Sequence, residues 1–246
     1  MRFNEIDKKD FKRTNVISRK YNTKWKKYAG RNVIGDCSKL FQRLRPTSYY
    51  DFYVKYTKDG EETLSNRKEM LHYGRTEGEV EEIAKAYQKD CNDYSYPLDD
   101  YIKNVYMHTI IETYDGQVKE EQVNQILSNL GFTYEKPEGN EDAMLGIDFK
   151  VYKDGKLSFV IQIKPKSFFL GHNNQSLIED RINAFHKEEM VKNKLGVNTY
   201  YMIYVADDDG NVQWLIENGR MCFELKRLCN KTNGFPYTLP TETIYI

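Results

Sequence analysis

Two apolar segments in the C-terminal half of this 246-residue chain each contain a charged residue that folding alone does not require. Asp148 lies within the segment 145–149, and Lys164 follows Gln162 near the end of the segment 158–165. Burial of an unpaired carboxylate or ammonium group costs several kcal/mol. We therefore expect these charges to compensate each other or to hold an ion.

The positions of these residues favour a site for a divalent cation. Side chains alternate along a strand, so Gln162 and Lys164 lie on one face while Ile163 lies on the other. If the two segments pair as a hairpin, Asp148 faces the same pocket. Carboxylate and amide oxygens suit Mg²⁺, and a lysine beside them can orient or help to deprotonate a water molecule and stabilise charge on a phosphate.

A fourth polar group is expected from a helix predicted over residues 117–130. Glu120 stands three residues before Val123 and seven before Leu127, on the apolar stripe of this helix. Glu121 is turned about 100° away at 3.6 residues per turn. We expect Glu120 to reach the same pocket from the helix side.

A purely structural explanation of the same four residues remains open. In that case Glu120 is an acid favoured by the helix dipole near the helix N-terminus. Asp148 and Lys164 then form a salt bridge, and Gln162 is an amide at the edge of the sheet.

The residues around these groups predict an α/β arrangement. Gly131 is suited to end the helix over 117–130, and Lys153-Asp154-Gly155-Lys156 is a strong hairpin signal. An α/β layer, in which helices cover a short mixed sheet, is the natural way to pack such elements. The predicted order is helix 117–130, strands 132–136, 145–152 and 157–165, helix 176–195, and strands 199–206 and 212–216.

Before residue 115 the sequence predicts a mixed but mainly helical lobe. The aromatic run at 49–57 indicates a strand, closed by the turn signal Lys58-Asp59-Gly60. Apolar residues at helical spacing predict helices over 77–90 and 98–113. We therefore divide the chain into a basic lobe of residues 1–115, expected to bind DNA, and a core of residues 116–246 with a β-rich C-terminal tail.

The residues of the core resemble the motif of the PD-(D/E)xK nuclease superfamily, to which restriction endonucleases belong. The likeness covers residues 117–206 and includes Glu120 and the strings Gly146-Ile147-Asp148-Phe149 and Val160-Ile161-Gln162-Ile163-Lys164. It is closest to the Q-x-K form found in Mrr-like enzymes. The resemblance implies a restriction-endonuclease-like core and Mg²⁺-dependent hydrolysis of phosphodiester bonds, with Asp148, Gln162 and Glu120 as metal ligands and Lys164 as the catalytic lysine.

Two departures from the superfamily motif affect the implied metal site. Ile147 stands where the motif has proline, and Gln162 replaces the second acid, which weakens metal binding. Glu121 and Glu112 are alternative helix acids, and Asp142 and Glu179 are spare carboxylates. A narrower likeness, through the strings Gly-Ile-Asp-Phe and Gln-Ile-Lys-Pro-Lys-Ser-Phe-Phe, is to small type II restriction enzymes of the MjaI kind, which cut at CTAG.

The balanced charge of the whole chain hides a basic N-terminal segment. Residues 1–50 contain 14 Lys and Arg against four Asp and Glu, a net charge of +10, and the remaining residues carry −10. Basic residues interleaved with aromatic rings are typical of nucleic-acid binders, although a solvated basic face explains the pattern as simply. The residues from which we expect DNA contacts are Lys24, Lys26, Lys27, Arg43 and Arg45, and in the core Lys166, Asn173, Asn174, Gln175 and Arg181.

The sequence also disfavours several other classes of protein. It has no apolar run near 18 residues and no N-terminal export signal, so we expect a cytoplasmic protein that does not enter a membrane. The four cysteines show no metal-binding spacing. Nucleotide-binding glycine loops and common hydrolase motifs are absent from the sequence.

These observations together predict a type II restriction endonuclease that cuts double-stranded DNA at a short specific site. A homodimer is expected, because two-fold symmetry serves the cutting of both strands of a symmetric site. A cognate DNA methyltransferase is the expected partner in the same system. Two alternatives remain: an Mrr-like nuclease that acts on modified DNA, and a non-catalytic DNA-binding or repair module with the same fold.

Overall fold

A computed structural model describes residues 8–66, 68–137, 141–169, 175–206, 212–216, 222–223 and 242–245. The chain divides into two compact units, Met1–Val118 and Lys119–Ile246. The boundary predicted between residues 115 and 116 falls inside a helix, which continues through Asp115 and Gly116. Within the described ranges, no helix combines the length and the apolar character needed to span a bilayer.

The first unit is built from helices around a core rich in aromatic residues. Trp25, Phe52, Tyr56 and Tyr87 are all buried in this core. The predicted helices over 77–90 and 98–113 are present, and the second continues through a π-helical turn into a further helix. The elements are α1 (Lys8–Arg13), α2 (Asn15–Lys20), α3 (Asn22–Tyr28), α4 (Arg31–Ile34), α5 (Cys37–Leu44), α6 (Tyr49–Thr63), a 3-10 turn (Met70–His72), α7 (Glu77–Cys91), α8 (Leu98–Tyr106), the π-helical turn (Met107–Ile111) and the first residues of α9 (Glu112–Asn129), a helix whose residues from Lys119 onward belong to the second unit.

The strand predicted over residues 49–57 is wrong, since these residues form the first part of α6. The Ser48 hydroxyl caps this helix by accepting the Asp51 N–H at 3.1 Å. Phe52, Tyr53 and Tyr56 of the run are buried at helical spacing, whereas Tyr50 is 48% exposed. The predicted turn at Asp59-Gly60 is instead a site of close packing, where a β-carbon on Gly60 would lie 2.4 Å from the Arg75 carbonyl carbon.

Arg75 is a buried cation that binds the backbone of the first unit. Its residue surface is 1% exposed, and its guanidinium donates to carbonyl oxygens of α4, Val33 at 2.6 Å and Asn32 at 3.1 Å. It also donates to the carbonyl oxygens of Tyr73 at 2.6 Å and Gly74 at 2.9 Å. Because a guanidinium presents five N–H donors in one plane, this single side chain satisfies four backbone oxygens.

The second unit contains one mixed sheet with helices, which confirms the predicted α/β class. The strand order is β1-β2-β3-β4-β5-β7, and β6 pairs with β4. The first three strands form an antiparallel meander, whereas β3 and β4 are parallel. The elements are β1 (Thr133–Glu135), α10 (Glu141–Leu145), β2 (Phe149–Lys153), β3 (Lys156–Pro165), α11 (Lys166–Phe169), α12 (Gln175–Leu195), β4 (Asn198–Ala206), β5 (Val212–Ile216), β6 (Cys222–Phe223) and β7 (Glu242–Tyr245).

Helices α9 and α12 cover opposite faces of this sheet. Ile161 packs with Val123 and Leu127 of α9. Its neighbour Val160 packs with Val191 of α12. Successive side chains of a strand point to opposite faces, so β3 is covered on both sides, and its polar residues must be accommodated within packed layers.

The β2–β3 hairpin has the predicted turn but a shorter first strand. Asp154 and Gly155 have φ angles of 51° and 71°, the left-handed conformation typical of a two-residue hairpin turn. The strand predicted over 145–152 begins only at Phe149, because Leu145 ends α10 and Asp148 lies in a bend. The direction of the Asp148 side chain is therefore set by its hydrogen bonds and not by strand alternation.

We expect Arg75→Met to lower the free energy of unfolding by about 2–4 kcal/mol, since it leaves buried carbonyl oxygens without donors. Arg19→Met, at an exposed helix position, is the matched control and should change this free energy by less than about 0.5 kcal/mol. Urea unfolding followed by circular dichroism measures both variants. Equal stability of the two would contradict the role assigned to Arg75.

Candidate active site

The candidate site lies at the end of the sheet where β2 begins and β3 ends. Because these strands are antiparallel, with Phe149 opposite Ile161, the residue before β2 comes beside the last residues of β3. The Asp148 N–H donates to the Ile161 carbonyl oxygen at 2.9 Å. Asp148 Oδ2 accepts the Ile163 N–H at 2.6 Å. The backbone of β3 therefore holds Asp148 beside the segment of this strand that contains Gln162 and Lys164.

Gln162 and Lys164 share a groove between β3 and α12, as strand alternation predicts. The volume of this β3–α12 groove is about 620 Å³. Asp148 is not one of the described residues that line it, although the sequence predicted that its side chain would face the same pocket. The groove is defined here by Gly146, Gln162 and Lys164 on one side and Asn183, His186 and Lys187 of α12 on the other.

Gln162 is buried under this groove in a fixed orientation. It is 1% exposed, and its Nε2 donates to the Leu145 carbonyl oxygen at 3.4 Å. Because the amide nitrogen is engaged there, Oε1 is the atom that can serve a cation. Burial of an amide without such partners would cost about 1–3 kcal/mol, so the contact with α10 also stabilises the fold.

Glu120 and Glu141 are two further acids of the second unit, and each is paired with a lysine. Glu120 of α9 pairs with Lys136, which follows β1, with Oε2 and Nζ 2.6 Å apart. It belongs to the helix on the face of the sheet opposite Gln162, and it is not among the described residues of the β3–α12 groove. Glu141 of α10 pairs with Lys150 at 2.5 Å, and this carboxylate raises the pKa of Lys150.

The alternative acids occupy other surroundings. Glu112 pairs with His108 in the first unit, with Oε2 and Nδ1 2.6 Å apart. Glu121 is exposed and accepts from Asn124 at 3.2 Å. Glu179 is exposed on α12, and the Asp142 side chain lies outside the described residues. Of the two helix acids Glu120 and Glu121, Glu120 is the one that pairs with a residue beside the sheet, Lys136.

The oxygen atoms at this end of the sheet fit Mg²⁺ in chemical type. Mg²⁺ is usually bound through one or two carboxylates, with water and substrate phosphate completing its shell. In the part of the chain that the structure describes, no group of three His, Cys, Asp or Glu is placed to hold a metal ion. Asp148 and Gln162 would thus supply the protein ligands, whereas Glu120 lies on the helix at the opposite face of the sheet and is not among the described residues of the groove.

The residues of the second unit predicted to contact DNA are placed very differently from one another. Lys166 is half-buried on α11. Arg181 is 2% exposed, and its Nε donates to the Phe168 carbonyl oxygen at 2.7 Å, so in this structure it stabilises the chain after β3. Asn173, Asn174 and the side chain of Gln175 lie outside the described residues.

Many predicted DNA-binding cations of the first unit have partners within that unit. Lys27 pairs with Asp90 at 2.6 Å and lowers the pKa of that carboxyl, and Lys24 donates to the Asp90 carbonyl oxygen. Arg43 binds both carboxylate oxygens of Asp59, at 2.8 and 2.9 Å. Lys26 and Arg45 are exposed. Lys26 and Arg45 are therefore better placed than the other three to meet a phosphate.

The order of elements around the site is α9, an antiparallel meander, α12 and a strand parallel to β3. Comparison of the chain with protein-family models, with curated proteins and with solved structures finds no match. The resemblance to PD-(D/E)xK nucleases therefore stays a prediction.

Gly146 and Lys187 make close approaches to Gln162 or to each other that the sequence pattern does not predict. Gly146 has a φ angle of 65°, and a β-carbon there would lie 2.9 Å from Gln162 Nε2 and 3.0 Å from Lys187 Cδ. A glycine two residues before Asp148 was the available signal for this close approach. No spacing in the sequence connects Lys187 to the motif, because α12 brings it back from a distant position.

We expect Gly146→Ala to lower the free energy of unfolding by about 2–4 kcal/mol, from left-handed strain and from crowding of Gln162. Gly155→Ala is the matched control, because Gly155 has a φ angle of 71° with no atom within 4 Å of an added β-carbon. It should lose only about 1–2 kcal/mol. Thermal and urea unfolding measure both variants, and equal losses would show that Gly146 does not position Gln162.

Proposed function

We propose that this protein is a Mg²⁺-dependent deoxyribonuclease that hydrolyses phosphodiester bonds in double-stranded DNA. One observation carries the proposal: the β2–β3 pairing holds Asp148 against the backbone of Ile161 and Ile163, and Gln162 and Lys164 of the same segment of β3 line one groove. A carboxylate, an amide oxygen and a lysine at one end of a sheet, between α9 and α12, are the groups that the PD-(D/E)xK resemblance implies. The Q-x-K form of that motif is the one proposed here.

Each residue of the site has a defined part in this proposal. The Ile163 N–H fixes one oxygen of Asp148, so the carboxylate is oriented before an ion binds. Gln162 contributes its amide oxygen from a buried position. Lys164 places a cation on the wall of the groove, where it can bind a phosphate oxygen and stabilise charge that develops there. When bound, Mg²⁺ would lower the pKa of a water molecule and place a positive charge beside the phosphate.

The substrate is proposed to be a short specific site in duplex DNA, as for a type II restriction endonuclease. Cutting both strands of a symmetric site favours a homodimer, since two copies related by a two-fold axis present two equivalent active sites. A methyltransferase that protects the same site would be its partner. Exposed cations of the first unit, Lys26 and Arg45, are proposed to contact the phosphate backbone.

A non-catalytic DNA-binding module is the second candidate, and it is favoured by specific contacts. Gln162 replaces an acid and is 1% exposed with its amide nitrogen engaged. Glu120 is paired with Lys136. A site that keeps these contacts when DNA binds would have one carboxylate for the ion, and it would bind DNA without cutting it.

The decisive prediction concerns cleavage of plasmid DNA in the presence of Mg²⁺ and its loss in EDTA. Asp148→Asn keeps an acceptor for the Ile163 N–H but removes the charge, and Lys164→Met removes the ammonium group. We expect each variant to lower the cleavage rate by at least about 100-fold. Discrete fragments on a gel, followed over time, measure the rate.

The matched controls are Asp154→Asn and Lys156→Met, which make the same chemical changes in the exposed β2–β3 turn. Both should cut at the rate of the original protein. Methylated and unmethylated plasmids are compared in parallel, and cutting of methylated DNA alone would favour the Mrr-like alternative. DNA binding without cleavage in any metal would refute the nuclease and leave the non-catalytic module.

A second prediction uses the neighbouring residues Lys26 and Lys27 to test the DNA contact. Both lose one positive charge on substitution by alanine, but only Lys27 is paired with an acid, Asp90, among the described residues. We expect Lys26→Ala to reduce the slope of log K against log salt concentration by about 1, and Lys27→Ala to change it less. Fluorescence anisotropy with labelled duplex DNA and Ca²⁺ measures the slope. A slope for Lys26→Ala equal to that of the original protein would exclude Lys26 from the DNA contact.

A further inference from the structure

The Lys164 ammonium group lies over the aromatic ring of Phe168. The Lys164 Nζ lies 5.5 Å from the centre of the Phe168 ring. This distance is within the range in which the negative face of an aromatic ring attracts a cation. Both residues line the β3–α12 groove. The ring therefore restricts a side chain that otherwise has four rotatable carbon bonds and many accessible conformations.

The position of Phe168 is itself fixed by two buried neighbours. The Arg181 Nε donates to the Phe168 carbonyl oxygen at 2.7 Å, and Arg181 is 2% exposed. Phe169, the next residue, is fully buried and packs edge-to-face on the Tyr201 ring at 5.8 Å between centroids. The short helix α11 is thus attached to α12 through Arg181 and to β4 through Phe169.

We propose that Phe168 is a positioning residue for Lys164, and that Arg181 acts through the Phe168 carbonyl to hold it. This inference rests on the proposed nuclease function and assigns parts to two residues outside the Q-x-K motif. Arg181 then serves the site from inside the fold, although its charge and location in the sequence suggested a contact with DNA. The chain of contacts runs from α12 to α11 and from α11 to the ammonium group.

The Phe168 ring occupies a half-buried position at the edge of the core. It packs edge-to-face on the Phe169 ring at 5.0 Å between centroids, whereas Phe169 itself fills the core with Tyr201 and Ile203. A change at Phe168 that keeps the ring should leave the site intact, because the ring face supplies the contact with Lys164. A change that removes the ring should release Lys164 while Phe169 keeps α11 in place. Displacement of a catalytic group by 1 Å can lower a rate about 100-fold.

The test compares Phe168→Leu with Phe168→Tyr by single-turnover cleavage and by DNA affinity in Ca²⁺. Phe168→Leu is expected to lower the cleavage rate about 10- to 100-fold while the dissociation constant changes less than about threefold. Phe168→Tyr keeps the ring and should cut within about threefold of the original rate. Thermal unfolding of each variant confirms that it is folded. Equal rates for Phe168→Leu and the original protein would overturn the inference.

A second readout does not depend on nuclease activity. Lysine residues are reductively methylated with ¹³C, and the Lys164 signal is assigned by its loss in Lys164→Met. The ring current of Phe168 should shift this signal, and the shift should disappear in Phe168→Leu and diminish in Arg181→Met. Absence of the shift in the original protein would refute the contact. If the shift is present but no DNA is cut, the proposed function fails while the Phe168 contact stands, so the two failures are distinguishable.

Discussion

The antiparallel pairing of β2 with β3 determines where each polar group of the candidate site lies. With Phe149 opposite Ile161, Asp148 comes next to the end of β3, and the Ile163 N–H binds its carboxylate at 2.6 Å. A slip of one residue would move Gln162 and Lys164 to the face that packs on α9. The turn at Asp154 and Gly155, with its two left-handed residues, makes such a slip unfavourable. The chemistry proposed for this protein therefore depends on a local turn and on the register that it sets.

Each polar group at this end of the sheet has a partner of a different kind. Asp148 is bonded to the backbone of β3, Gln162 to the Leu145 carbonyl oxygen, and the Lys164 ammonium group lies over the Phe168 ring. These contacts orient the carboxylate, the amide and the ammonium group through neighbours outside the set. Groups oriented in this way are suited to act on a third group, such as a phosphate with its metal ion.

The charge of the first unit shows why counting basic residues overstates a DNA-binding surface. The excess of +10 in residues 1–50 falls to +3 over residues 1–118, which contain 22 basic and 19 acidic side chains. Contacts such as Lys27 with Asp90 and Arg43 with Asp59 use part of the basic charge inside the unit. The remaining field depends on exposed cations such as Lys26, and it is weaker than the count of basic residues in the segment 1–50 indicates.

The sequence by itself determined the elements whose signals are local. The turn at Asp154 and Gly155 follows from residue type, and α12, β4 and β5 follow from periodicity, because each depends on neighbours in the chain. Only the tertiary structure decided the conformation of residues 49–57, the burial of Arg181 and the lysine partner of Glu120. An aromatic run fits a strand as well as a helix, and Gly60 serves for close packing against Arg75, which is distant in sequence. The orientation of Asp148 likewise depends on an N–H group of another strand, and no local pattern of residues encodes a contact of that kind.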